Sequence, residues 1–412
     1  MYSEFIKNVF LKRVVLVLLT LVTMVSFSFI SYTLIRSNLH VLQSKNDLQQ
    51  LIKKDVFMGN DQTSSDQIDY IFDEKNSKRS NKKAQKLFNY IDHNYDYSSS
   101  WSDQIDMPNG YRNIEIYTIN SNFFKFYPLK VKKGRLFSKS DYIGNKKEIP
   151  VIVGAGLRKV KLGSTFKDLN QPVGKKETYK VIGILKENTR LPSAYMLDGS
   201  YMLNKTIFRP LTDKDKKHIN VDQLTGMYQD LLIYNTSKTK VSKLSKTIRK
   251  ENLGNVKFYS IKENIKFFYS TYNSRALLYL VLSLVMLIIF IGLFLWNIWK
   301  SLSESRQEIA IRISLGLRKY HLYIITFLYQ LLLTIFSFIP VTIYAVRNSY
   351  VLATDSFDDQ TQIILSSPLP RIESISLILS FLILLVIGTF SSMLIIYKFN
   401  KSPLTLRMGS DS

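Results

Sequence analysis

The 412-residue sequence contains no cysteine. Disulfides and thiolate metal sites are therefore excluded, and any part outside a membrane must be held together by packing alone. Histidine is scarce: His40, His93, His218 and His321 are scattered, with no metal-ligand spacing. No G-x-x-x-x-G-K-[ST] phosphate loop occurs, so the chain cannot hold ATP in the P-loop manner. Gly154 and Gly156 lack the third glycine and helix context of a dinucleotide site, and they read as a turn. Neither G-x-S-x-G nor H-E-x-x-H is present, and no histidine is placed to serve a nucleophile. The paired acids Asp358 and Asp359 read as solvated loop charge. No covalent chemistry is expected of this chain.

What the chain does have is apolar sequence gathered into blocks. A helix of about 20 apolar residues spans the ~30 Å hydrocarbon core. Four stretches meet that length: residues 14–35, 276–299, 322–346 and 374–397. The first is too long for a signal-peptide core, so it reads as an uncleaved anchor. None of the four contains Asp, Glu, Lys, Arg or His in its interior. Ion-coupled carriers need such groups in the bilayer, so a secondary transporter or channel is disfavoured. In the third stretch, Gln330 can hydrogen-bond to another helix, and Pro340 removes a backbone donor and favours a kink.

Charge on the short flanks sets the orientation. Lys7, Lys12 and Arg13 precede the first span. Residues 300–321 carry Lys300, Arg306, Arg312, Arg318 and Lys319, and the tail 398–412 carries Lys398, Lys401 and Arg407. These three segments are expected in the cytoplasm. Residues 347–373, with Asp355, Asp358 and Asp359, and the large segment 36–275 fall on the other side. The expected localisation is a plasma membrane crossed four times, with both termini cytoplasmic. The net charge is +24, and residues 37–275 hold 42 Lys/Arg against 24 Asp/Glu. That surface suits anionic neighbours such as lipid headgroups or wall polymers rather than nucleic acid.

The large segment mixes α and β signals. Residues 37–58 and 261–275 continue helical spacing beyond the spans, as two stalk helices. Residues 59–81 are polar and turn-rich and read as a loop. Strand signals occupy residues 114–118, 149–153 and 179–185. Residues 231–234, a Lys-rich helix over 238–251 ended near Asn252 and Gly254, and residues 256–259 form a β-α-β unit. The fold class is thus an α-helical membrane protein with four transmembrane helices. It carries a mixed α+β extracytoplasmic domain of two subdomains on a helical stalk, with no internal repeat.

Residues 303–320 are ambiguous by period alone. Ile309, Ile311, Ile313, Leu315 and Leu317 alternate like a strand, yet Ile309, Ile313, Leu317 and Tyr320 share a helical face. Glu308 and Arg312 form a favourable i,i+4 pair, and a short link between spans favours an interfacial amphipathic helix. This stretch resembles the loop of MacB/FtsX-family ABC-transporter permeases, whose pattern is close to E-I-[GA]-[IL]-R-x-x-[LI]-G. Here it runs Glu308, Ile309, Ala310, Ile311, Arg312, Ile313, Ser314, Leu315, Gly316. The order of one span, an outer domain and three spans agrees with that family. So does Gly134, Arg135, Leu136, Phe137, which is similar to the family's G-R-x-F turn. Residues 403–407 resemble its P-x-x-x-L-R ending, one residue shorter.

The resemblance implies a permease subunit without enzymatic activity and with no cofactor of its own. A separate cytoplasmic ABC ATPase would bind ATP and Mg. Its motion would pass through this chain, as a homodimer or a heterodimer with a related permease, to the outer domain. The cargo would be a peptide or amphiphile, exported or extracted. Two other readings stand beside it: a signalling module activating a cell-wall hydrolase, and an antimicrobial-peptide sensor or immunity protein. By resemblance, Glu308, Ile309, Arg312, Leu315 and Gly316 couple to the ATPase, while Gly134, Arg135 and Phe137 mark the outer domain. The basic outer domain disfavours strongly cationic cargo, since like charges repel.

Overall fold

The computed structural model describes residues 14–53, 55–144, 147–169, 177–193, 195, 200–314, 318, 320–354 and 369–401. The chain divides into two units, one holding the apolar lengths of four long helices and the other holding His40–Thr271.

The four apolar runs each form one helix: Val14–Asp47, Ile261–Glu304, Tyr320–Thr354 and Arg371–Lys401. All four are long and apolar enough to cross a membrane. The second has 44 residues, about 66 Å at 1.5 Å per residue, roughly twice what the hydrocarbon core needs. Its surplus first turns carry Lys262, Glu263 and Lys266.

Inside this unit the apolar side chains interlock around Met24, Phe290, Phe294, Ile325 and Leu384. Several hydroxyls are satisfied by the carbonyl one turn back, as for Thr20 on Leu16 (2.8 Å) and Thr326 on Leu322 (2.8 Å). That keeps them compatible with an apolar surrounding. Asn297 Nδ2 donates to the Tyr329 hydroxyl at 2.8 Å, a polar link between the second and third helices. Gln330, expected to bond across helices, instead donates to Thr334 Oγ1 of its own helix at 3.2 Å. Its amide lies against Gly388, where any Cβ would overlap it. Glycine there admits the closest helix approach, so dispersion contact fills the role expected of a hydrogen bond. Pro340 sits inside the continuous third helix. Arg36 Nε meets Glu373 Oε1 at 3.3 Å, just beyond the apolar runs, and Glu373 is buried.

Thirteen strands form among the described residues of the other unit. The first seven are β1 Phe57–Asp61, β2 Asp96–Ser98, β3 Ser100–Ile105, β4 Ile114–Ile119, β5 Val131–Gly134, β6 Glu148–Val153 and β7 Thr165–Lys167. The rest are β8 Thr178–Leu185, β9 Arg190–Pro192, β10 Ser200–Met202, β11 Thr206–Pro210, β12 Leu232–Tyr234 and β13 Val256–Ser260. A four-stranded antiparallel sheet has the order β13-β1-β12-β2. A seven-stranded mixed sheet has the order β3-β4-β11-β6-β8-β5, with β7 also on β8. β9 and β10 make a separate hairpin. These sheets have separate apolar cores, one around Phe88, Leu224 and Ile248, the other around Ile114, Val151 and Ile207. They are the two subdomains expected from sequence.

Residues 59–81, expected as a loop, are ordered. β1 takes 57–61, and the helices Ser65–Phe72 and Glu74–Asn94 follow. The helix Glu74–Asn94 opens polar and becomes amphipathic only later, burying Ala84, Leu87, Phe88 and Ile91 at the i, i+3, i+4, i+7 spacing. Asp73 caps it through the Lys75 N–H at 3.1 Å. The β-α-β unit is present in split form, because β1 pairs antiparallel to both β12 and β13 and lies between them. Its helix, Lys238–Lys250, buries Val241, Leu244 and Ile248. That helix stops as the Leu253 N–H reaches the Ile248 carbonyl and the Asn252 N–H reaches Arg249. Asn252 takes the positive φ of 56° there, so Asn252 rather than Gly254 closes the helix.

Candidate coupling segment and ligand cleft

The loop between the second and third spans is helical. The helix Ile261–Glu304 breaks at Ser305, and Arg306–Ser314 follows as a helix of its own. Ile309 and Ala310 are buried in the core of the membrane helices, and Ile313 packs beside them. Ile311 is exposed, so the strand-like alternation of isoleucines is not the operating period. Arg312 is half-buried. Glu308 lies on this helix, with its side chain outside the described set. Leu315 and Gly316 fall outside the described residues, as do residues 355–368 and 402–412 with Asp358, Asp359 and the ending motif. Ile309 is therefore an anchor for the segment. Its exposed positions are the ones that can meet another protein.

The Gly134, Arg135, Phe137 motif builds a corner. Gly134 ends β5 with φ 79°, and a Cβ there would overlap the Ile182 carbonyl. Arg135 then grips Asp141 through two nitrogens, Nη1 to Oδ2 at 2.5 Å and Nη2 to Oδ1 at 3.1 Å. Asp141 is buried, and it also accepts from the Ser138 N–H and hydroxyl, each at 2.8 Å. Phe137 sits edge-on to Tyr142 and tilted against Phe124, ring centroids 5.9 Å apart in both cases. All three residues hold the turn after β5 in place, a structural role.

A cleft of about 380 Å³ lies in the β-rich unit, lined from both main sheets and from the hairpin. β1 contributes Met58 and Asp61, β3 Trp101, and β4 Tyr117. Tyr127, Tyr195 and Tyr201 complete its aromatic walls, and Asp230 lies just before β12. The Tyr195 hydroxyl donates toward the Gln229 carbonyl at 2.9 Å and toward the Gly59 carbonyl. Ser100 Oγ donates to Asp230 Oδ2 at 3.1 Å. Asp230 is exposed to solvent at the cleft, with protein packed around it on its other sides. Desolvation pushes its carboxyl above the usual carboxylate range, and the Ser100 hydroxyl draws it partly back. Burial raises the phenols of Tyr127 and Tyr195, and the charge of Asp230 raises them further. Among the described residues lining the cleft there is no Lys, Arg or His. Sequence reasoning missed this site, because its residues are spread from Met58 to Leu232 and no local motif joins them.

An apolar four-helix unit with a two-subdomain α+β unit inserted after its first helix defines a multi-pass membrane protein with an extracytoplasmic domain. The profile described as MacB-like periplasmic core domain matches residues 14–245, more than half of the chain. That described as FtsX-like permease C-terminal matches residues 280–404. The chain belongs to the MacB/FtsX family, the permease components of ABC transporters. Among solved structures it is similar to the periplasmic region of MacB from Actinobacillus actinomycetemcomitans. The identity is 13%, covering 55% of this chain and 98% of that one, with a TM-score of 0.32. It is also similar to the extracellular domain of the noncanonic ABC-type transporter YknZ from Gram-positive bacteria. There the identity is 15%, covering 50% of this chain and 100% of the other, with a TM-score of 0.30. No curated protein matches the sequence.

Proposed function

We propose that this chain is the mechanical subunit of an ABC transporter. A separate cytoplasmic ATPase binds ATP and Mg, and this chain carries the resulting motion to its extracytoplasmic domain, exporting or extracting a peptide or amphiphile. The observation that carries the reading is the pair of unbroken helices, Val14–Asp47 and Ile261–Glu304. Each begins or ends well beyond an apolar span, and a continuous hydrogen-bonded helix passes on displacement without a hinge to absorb it. Spans free of ionisable side chains in their interiors fit that role better than they fit a conduction path.

The ATPase docks on the segment Arg306–Ser314, whose basic flanks favour a cytoplasmic position together with both termini. Buried Ile309 holds the segment to the membrane helices, so a push on its exposed side moves the spans. Glu308 and Arg312 supply charge-assisted hydrogen bonds to the ATPase. Exposed apolar faces such as Leu277, Leu284 and Ile288 on the second span meet lipid and a second permease copy.

Co-expression with candidate ABC ATPases, purification in detergent and measurement of ATP hydrolysis test this. The expected result is a stable complex whose hydrolysis is lost with Glu308→Lys and with Arg312→Glu. Failure of every candidate ATPase to bind would overturn the reading.

A further inference from the structure

We infer that the cleft between the two sheets is a receptor for a basic residue of a peptide: the ammonium group meets Asp230 and the alkyl stem lies along the aromatic walls. The inference deepens the transport reading, since it rests on His40–Thr271 being the part that faces the cargo.

Two features of the site point the same way. The first is an uncompensated carboxylate. Asp230 receives one hydroxyl hydrogen bond, from Ser100, and no cation pairs with it among the described residues. Asp61, on the same cleft, is engaged by the Thr63 N–H at 3.0 Å and the Thr63 hydroxyl, so it adds charge to the cleft and leaves Asp230 the open acceptor. Asp230 is solvent-exposed at the cleft, so an incoming ligand cation reaches its carboxylate directly and pairs with it.

The second feature is the walls. Tyr117, Tyr127 and Tyr195, with Trp101, offer ring faces and edges around the same space. A cation over such rings is attracted by their quadrupoles, and a four-carbon stem covers the remaining apolar surface. Tyr201, mostly exposed at 62%, forms the rim. The volume of about 380 Å³ accommodates a side chain with its adjoining backbone rather than a folded protein.

The domain's overall positive charge does not oppose a basic ligand, because the cleft lining carries two acids and no basic residue. Within a cleft, local charge outweighs distant surface charge screened over about 8–10 Å.

The test uses the full chain in detergent with Trp296→Phe and Trp299→Phe, which leaves Trp101 as the single tryptophan. The probe is the capped tripeptide acetyl-Phe-Lys-Phe-amide, titrated against the fluorescence of Trp101. Its control is the same peptide with the lysine acetylated. Saturable binding of the basic form is expected, with affinity about tenfold or more weaker for the acetylated form and for Asp230→Asn. Tyr201→Ala, at an exposed rim position, is expected to weaken binding several-fold. Equal binding of both peptides, binding unchanged by Asp230→Asn, or no response of Trp101 at millimolar probe would each overturn the proposal. No ATPase is present in this assay, so its failure leaves the permease reading standing. Loss of the ATPase complex with intact peptide binding would do the reverse.

Discussion

Replacing Arg135 by alanine removes one partner from a pair whose other member is buried. The Asp141 side chain is fully enclosed, while that of Arg135 is half exposed. Breaking a fully buried ion pair costs ~3–5 kcal/mol, because a charge is left without compensation. Two facts reduce that here: water can enter where the guanidinium stood, and Ser138 still supplies two donors to the carboxylate. A loss of about 2 kcal/mol follows, near the ~1.5–3 kcal/mol of hydrogen bonds to charged groups. For a unit of about 230 residues that corresponds to a fall in Tm of roughly 4–8 °C. The assay is thermal unfolding of the purified chain in detergent, followed by near-ultraviolet circular dichroism. Arg135→Lys keeps the charge but not the two-pronged grip, and about half the loss is expected to remain. Adding Asp141→Asn to Arg135→Ala recovers part of the stability, because the stranded charge is gone. An unchanged Tm in Arg135→Ala, with transport function lost, would refute the structural reading of this motif.

Other outcomes follow from the same physics. The Asp230 carboxyl is raised in the folded chain, so its contribution to stability is fully present below the unfolded carboxylate value and is lost as pH rises through the folded value. Asp230→Asn is therefore expected to raise Tm at pH 7 and to leave it unchanged near pH 3, in parallel melts. Phe88→Ala empties a fully buried site in the four-stranded subdomain and is expected to cost ~3–5 kcal/mol by chemical denaturation. Asn252→Ala removes the short amide side chain whose local hydrogen bonding favours the left-handed conformation at φ 56° and is expected to cost ~1 kcal/mol, whereas Asn252→Gly, which removes the β-carbon, is expected to be neutral or slightly stabilising.

The membrane helices were legible because bilayer thickness fixes both their length and their composition. β4, β6, β8 and β13 were legible because each is a compact apolar or alternating run. The helix Glu74–Asn94 was not, because its first turns are charged and asparagine-rich and its apolar face opens only at Ala84. β1 was hidden for another reason. Its Gly59, Asn60 and Asp61 have poor strand propensity, and only tertiary pairing on both sides holds it as a central strand. Gly59 is required there, since a Cβ would overlap the Tyr228 carbonyl. Helical spacing in the coupling segment was correctly favoured over alternation, because a link between two spans has no sheet to join. The cleft was beyond reach, since its lining is gathered from Met58 to Leu232, and Asp230 meets its partner Ser100 only in the folded chain.

The absence of native cysteine makes one measurement especially direct. Single cysteines at Ile311, exposed on the coupling segment, and at Tyr201, exposed on the extracytoplasmic domain, can each be offered to the ATPase with a short thiol cross-linker. The account predicts an ATPase adduct from Ile311→Cys that is lost with Arg312→Glu, and none from Tyr201→Cys. An adduct from Tyr201→Cys, or none from Ile311→Cys in a complex that still hydrolyses ATP, would contradict the claim that this segment receives the motion.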